Sequence, residues 1–262
     1  MHETDVRGLA CFRSGSGPPL VYLPGLSAHH RRPDGIDLRI QERLVRPLAR
    51  DREVWWLQRP VGLPAGTTMA DLAATCAEAL RSAFDAPVDV VGASTGGSLA
   101  LQVAADHPDV VRRVVLLSSA CRLGPVGRAE QHRLGTLLRE GRVRPAGAQL
   151  MSLLGTSAPA RWALSGAGWA LAPALMGVDT SDAAATIAAE DDFDLTGRLG
   201  TITTPVLVVG GGRDRFYGVD LFRETAAGLP NGRLRLLPSR GHVGAMSATE
   251  ALDAARDFLA AG

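Results

Sequence analysis

The sequence predicts an α/β chain: a mainly parallel central sheet, helices on both of its faces, and a helical insert that interrupts the core. Three observations predict it. Short β-branched runs alternate with segments of helical periodicity, the order expected when crossover helices join parallel strands. The pentapeptide Gly92-Ala93-Ser94-Thr95-Gly96 sits where one such strand turns into one such helix, the arrangement of a nucleophile elbow. From Cys121 to about Thr204 the alternation stops, and afterwards it resumes. The expected division is a core at 1–120 and 205–262 with a cap at 121–204.

Taken in order, Val6 to Phe12 reads as an opening strand and Leu20-Val21-Tyr22-Leu23 as a second, with Gly15 to Pro19 turning between them. Ile40, Leu44, Val45 and Leu48 have helical spacing. Val54-Trp55-Trp56-Leu57 is a strand closed by Gln58-Arg59-Pro60. Met69, Leu72, Cys76, Ala79, Leu80 and Ala83 follow the spacing of an amphipathic helix. Val88 to Val91 lead into the elbow, Gly97 to Ala105 continue as its helix, and Val111 to Leu117 supply another strand. The insert is rich in Ala, Gly, Leu and Pro, carries Met151, Trp162, Trp169 and Met176, and reads as irregular helices. Placed after the post-elbow strand, it would lie over the active end as a lid; the alternative is extra helices packed on the flank. Pro205 to Val209 and Arg233 to Leu237 are the last strands, and Ser247 to Ala261 the closing helix. Such sheets bind ligands at the carboxyl ends of their strands, and Ser94 stands at such an end.

The chain of 262 residues is long enough for one large domain with a full core. Its 46% hydrophobic and 21% charged residues are ordinary for a soluble globular protein. A net charge of +1 gives no reason to invoke nucleic acid or an anionic membrane as partner. All 28 basic residues are arginine. Chemistry that needs lysine is thereby excluded: a Schiff base, a pyridoxal-phosphate anchor, a P-loop, a Ser-Lys dyad. Asn231 is the only asparagine, which argues against a Cys-His-Asn site. Cys11, Cys76 and Cys121 are odd in number and far apart, and suggest buried thiols in a reducing compartment. Met1 to Asp5 lack the basic start and apolar stretch of a leader, no apolar run is long enough to span a bilayer, and a cytoplasmic protein is expected.

An attacking serine needs a base, and the base needs a carboxylate to orient it and stabilise its protonated form. On this kind of elbow the order along the chain is Ser, then Asp or Glu, then His. After Ser94 the histidines are His107, His132 and His242. His107 ends the elbow helix and points away from the serine, and His132 lies among Arg128, Glu130 and Arg133 on a solvated face. His242 follows the last strand at the correct end. Asp214 comes directly after the strand Val206 to Val209, in a loop that opens at the same end. Asp191, Asp192 and Asp194 read as a solvated run, and Asp220 as an acid at a helix start. The expected catalytic set is therefore Ser94, Asp214 and His242. Backbone N–H donors to an oxyanion are expected from Thr95 and from Leu26, since Pro24 has no N–H. Trp162, Trp169 and Met151 are expected to line an apolar substrate pocket. His29 and His30 read as a solvated loop beside Arg31 and Arg32, with substrate contact as the alternative. No metal and no cofactor are expected.

With these residues in place, the chain resembles the α/β-hydrolase superfamily over nearly its whole length. The matching segments are Leu23-Pro24-Gly25, Val90 to Gly97, His107 to Leu117, Thr204 to Gly210 with Asp214, and Gly241-His242. There are departures. Many relatives carry His-Gly where this chain has Pro24-Gly25, and Asp-x-x-Gly-x-Gly-x-Ser where it has Gln58 to Leu63. Ala93 and Thr95 replace commoner elbow residues. The resemblance implies an α/β-hydrolase fold with a cap insert and a serine hydrolase acting on an ester or thioester of a small apolar substrate. Serine argues against the aspartate-using dehalogenases and epoxide hydrolases of the superfamily. It leaves acyl transfer, carbon–carbon bond hydrolysis and cofactor-free perhydrolysis as alternatives, and, in a different class, a non-catalytic binding or receptor module on the same scaffold.

Overall fold

Strands β1 (Glu3–Val6), β2 (Leu9–Ser14), β3 (Pro19–Leu23), β4 (Glu53–Leu57), β5 (Val88–Ala93), β6 (Val111–Leu117), β7 (Val206–Gly211) and β8 (Gly232–Leu237) form one sheet in the order β1-β2-β4-β3-β5-β6-β7-β8. β1 and β2 are antiparallel to their neighbours, and β3 to β8 run parallel. The computed structural model of the chain describes residues 3–176 and 179–261.

The two-residue period of a strand decides the layers. Val90 of β5, Val114 and Leu116 of β6, and Val206 and Val208 of β7 turn to one face. Val91, Val115, Leu117, Leu207 and Val209 turn to the other. Both faces are apolar, as a parallel sheet covered on both sides requires. The first is covered by α2 (Met69–Ala83), α3 (Thr95–Asp106) and α8 (Val219–Gly228) through Leu72, Leu99 and Phe222. The second is covered by α1 (Gly35–Val45) and α10 (Thr249–Ala260) through Val45, Leu252 and Phe258. A capping box opens α2: Thr68 Oγ1 accepts from the Asp71 N–H at 3.1 Å while Asp71 accepts from the Thr68 N–H at 2.8 Å. Among the described residues, no helix is long and apolar enough to cross a membrane.

Three boundaries differ from expectation. Val6 to Phe12 is not one strand. Arg7 (φ +50°) and Gly8 (φ +81°) turn the chain back between β1 and β2, and paired positive φ angles make the tight hairpin turn whose twist matches its strands. The helix around Ile40 ends at Val45, short of Leu48, because Pro47 has no N–H to continue the ladder. The closing helix is α10, preceded by the short α9 (His242–Met246), which begins at the histidine itself.

Between β6 and β7 lie α4 (Pro125–Arg139), α5 (Val143–Leu153), α6 (Ala158–Met176) and α7 (Ser181–Asp191). They enclose a small core of their own, including Leu134, Leu138, Ala172 and Ile187, against which Leu26 and Ala28 of the loop after β3 are packed. Asp182 of α7 accepts from the N–H groups of Gly62 (3.2 Å) and Leu63 (2.8 Å) in the loop after β4. The insert thus rests on loops at the carboxyl ends of the strands.

Candidate active site

The elbow is built by close approach. A Cβ on Gly92 would stand 2.3 Å from the Gly96 carbonyl oxygen, and one on Gly96 would stand 2.1 Å from the Leu23 carbonyl oxygen. Only glycine lets strand and helix meet at these points. The turn holds Ser94 at φ +51°, ψ −124°, a conformation that L-residues rarely adopt. Its hydroxyl is thereby lifted off the end of β5.

Two other loops meet it there. Ser94 Oγ lies 2.9 Å from His242 Nε2, and His242 Nδ1 lies 2.8 Å from Asp214 Oδ2. Asp214 Oδ1 accepts from the N–H groups of Phe216 (2.8 Å) and Tyr217 (3.3 Å), and the carboxylate is completely buried. A carboxylate only accepts, so the ring proton sits on Nδ1 and Nε2 is left to accept from Ser94. Ser118 donates its hydroxyl to the His242 carbonyl at 2.8 Å, and the Arg213 N–H bonds the Arg240 carbonyl at 2.9 Å, which fixes the acid loop against the histidine loop. The Phe216 ring covers the imidazole at 4.5 Å. Among the described residues, no backbone carbonyl accepts from the N–H of Leu26 or Thr95. The Thr95 N–H also opens α3, where the helix dipole favours negative charge. The arrangement can take a proton from a serine hydroxyl and offer two free donors to an anion beside it.

Among the described residues, Trp162, Trp169 and Met151 make no hydrogen bond or ring contact with Ser94, Asp214 or His242. Trp162 is 83% exposed and Trp169 52% exposed on α6, with the Arg144 guanidinium 4.6 Å above the Trp169 ring. Met151 of α5 lies against Gly168 of α6 and serves the pairing of those helices. Their apolar character signals surface and helix packing. Asp191 is also not simply solvated: its side chain is 10% exposed, His132 stands 3.3 Å away, and burial pushes its carboxyl up to about 6.

Sequence reasoning missed the polar residues behind the site. Glu190 of α7 is buried and accepts from Thr95 Oγ1 (2.8 Å), Ser98 Oγ (2.7 Å) and Gln131 Nε2 (2.8 Å), tying the insert to the elbow helix. His30 is not in a solvated loop but buried. Its Nδ1 lies 2.7 Å from the Pro60 carbonyl and its Nε2 3.2 Å from Arg59 Nε. Arg59 is buried as well. The available signal was positional: β4 lies next to β3, so the loop after β4 must neighbour the loop that carries Leu26.

Burial, and then the charge of Arg59, hold the His30 imidazole down at about 4. In the unfolded chain it would titrate near 6.5, so between these values the unfolded state binds a proton that the folded state refuses. Stability therefore falls as pH drops through that window, by about 2–3 kcal/mol between pH 7 and pH 4.5. Urea unfolding of wild type and His30→Gln at both pH values should show this loss in wild type over and above the variant. Parallel pH dependences would contradict a neutral buried His30.

The sheet order, the serine on its strand-to-helix turn and the insert after β6 together define a hydrolase scaffold. The model of the alpha/beta hydrolase family matches residues 20–255, and the chain belongs to that family. It is 31% identical to a pimeloyl-[acyl-carrier protein] methyl ester esterase of Neisseria meningitidis over 198 residues, which cover 72% of this chain and 75% of that protein. It is 28% identical over 254 residues to the polyketide synthase ThaQ of Burkholderia thailandensis, covering 93% of this chain but spanning only 12% of that synthase. Among solved structures, MGS-M2, an alpha/beta hydrolase from a deep-sea metagenome of the Medee basin, shares the fold with a TM-score of 0.80 at 15% identity, covering 97% of this chain and 94% of that one.

Proposed function

We propose that this chain is a serine hydrolase that cleaves a carboxylic ester or thioester of a small apolar substrate through an acyl-enzyme. The observation that carries the reading is the continuous hydrogen-bond chain Ser94–His242–Asp214 beside two unengaged N–H groups. As Ser94 Oγ bonds to the carbonyl carbon, its proton passes to His242 Nε2 and the carbonyl π pair moves to oxygen, where Leu26 and Thr95 donate to it. Collapse of this intermediate expels the alcohol or thiol with the proton from His242. Water then repeats the sequence and releases the acid. Asp214 holds the ring and stabilises its charged form. The insert acts as a lid, and Phe216 and Leu26 supply apolar wall in place of the two tryptophans. The relative named as a methyl ester esterase supports an ester bond as the one cleaved.

Intact-protein mass after exposure to a fluorophosphonate tests the reading. A single adduct on wild type that is missing from Ser94→Ala is the expected result. No adduct on folded protein would remove the acyl-enzyme mechanism and favour a ligand-binding module.

A further inference from the structure

Arg59 is 3% exposed, and none of its hydrogen-bond partners is a carboxylate. Its guanidinium is spent on the loop after β3. Nη1 donates to the Pro24 carbonyl at 3.0 Å, and Nη2 donates to the Gly25 carbonyl at 2.8 Å and to Ser27 Oγ at 3.2 Å. The buried Glu190 carboxylate supports the charge of Arg59 electrostatically without bonding to it, so the hydrogen bonds of the guanidinium all go to the loop and to His30.

The peptide plane explains the choice. The Gly25 carbonyl and the Leu26 N–H belong to one trans peptide and point in opposite directions. A grip on that oxygen turns the Leu26 N–H away from Arg59. The nucleophile lies against the same loop: a Cβ on Gly25 would stand 3.4 Å from Ser94 Cβ. The grip is itself braced. His30 donates from Nδ1 to the Pro60 carbonyl, which leaves Nε2 to accept from Arg59 Nε, and Gln58 donates to Ser27 Oγ at 3.0 Å while accepting from the Arg59 N–H. Although burial draws the Arg59 guanidinium down to about 10, it stays charged at neutral pH.

We infer that Arg59 is a positioning residue of the oxyanion site, gripping the Pro24 and Gly25 carbonyls so that the Leu26 N–H faces the nucleophile with a fixed positive charge behind it. The inference rests on Ser94 being that nucleophile. A preorganised donor of this kind acts on the transition state more than on bound substrate.

The test compares wild type with Arg59→Met and Arg59→Lys on p-nitrophenyl butyrate, with phenylboronic acid as a probe whose serine adduct carries the charge of the oxyanion. For Arg59→Met, kcat should fall about 100-fold, the loss typical of one oxyanion donor. KM should stay within about threefold, and boronate affinity should weaken in step with kcat. Arg59→Lys keeps the charge but not the two-pronged grip, and should lose roughly tenfold. A merely structural role would lower thermal stability and leave the boronate affinity of the folded fraction unchanged. A folded variant with wild-type kcat and boronate affinity overturns the inference, and if Arg59→Met does not fold, Arg59→Lys decides it. Should wild type resist the fluorophosphonate, the nucleophile assignment fails first and this inference falls with it. Labelling of wild type and variants at equal rates overturns the role of Arg59 alone.

Discussion

Ser94→Ala is expected to lower kcat/KM on a susceptible ester by about 10⁴- to 10⁶-fold with the fold intact. The hydroxyl contributes little to stability, because its partner is the His242 ring and that ring stays held by Asp214 and by the ring of Phe216. Removing it leaves a base with nothing to activate. His242→Ala should lose nearly as much, and the double variant little more than either single one, because the residues act as a unit. Steady-state kinetics of the three variants, with circular dichroism as the control for folding, checks the claim. If Ser94→Ala keeps half of the wild-type rate, the attacking group lies elsewhere.

Gly96→Ala should be the most damaging single-methyl change in the elbow. The new Cβ would meet the backbone oxygens of Leu23 at 2.1 Å and Pro24 at 2.5 Å, and neither is the end of a side chain that can swing aside. Relief requires β3 and α3 to separate. The expected loss is about 3 kcal/mol or more, at the upper end for overpacking. The same separation would carry the Leu26 loop off Ser94, so on the proposed mechanism turnover should fall further than the folded fraction. Gly197→Ala is the matched control, since nothing lies within 4 Å of the added carbon there. Urea midpoints of the two variants measure the difference, and a Gly96→Ala midpoint equal to the control would refute the packing argument.

What was legible in the sequence was what short-range chemistry decides. The elbow is written in five consecutive residues, and apolar runs such as Val114 to Leu117 announce a strand buried on both faces. Asp214 and His242 are legible as candidates because each lies in a loop that follows a strand, at the end of the sheet where Ser94 stands. The failures have a different origin. Arg7 at positive φ gives no Asn-Gly signal, so the hairpin was invisible. Hydrophobicity does not distinguish a pocket wall from the exposed positions that Trp162 and Trp169 occupy, since singly exposed apolar side chains are ordinary on a protein surface. Arg59, His30 and Glu190 are polar residues whose burial is decided by segments far away in the chain, such as Thr186 of α7, whose hydroxyl lies 3.3 Å from His30 Nε2. No local pattern marks such residues, and only their through-space partners do.

Ser94 and His242 are 148 residues apart in the chain, and Asp214 comes from the loop between the last two strands. The bonds that join them exist only once β7 has paired with β6 and β8 with β7. Long-range pairing of this kind is the slow part of assembling a sheet. A collapsed chain that has not made these pairings does not join the three residues. Turnover would therefore count finished molecules, which makes the chain its own reporter in refolding, crowding or chaperone assays where spectroscopic probes register collapse as success.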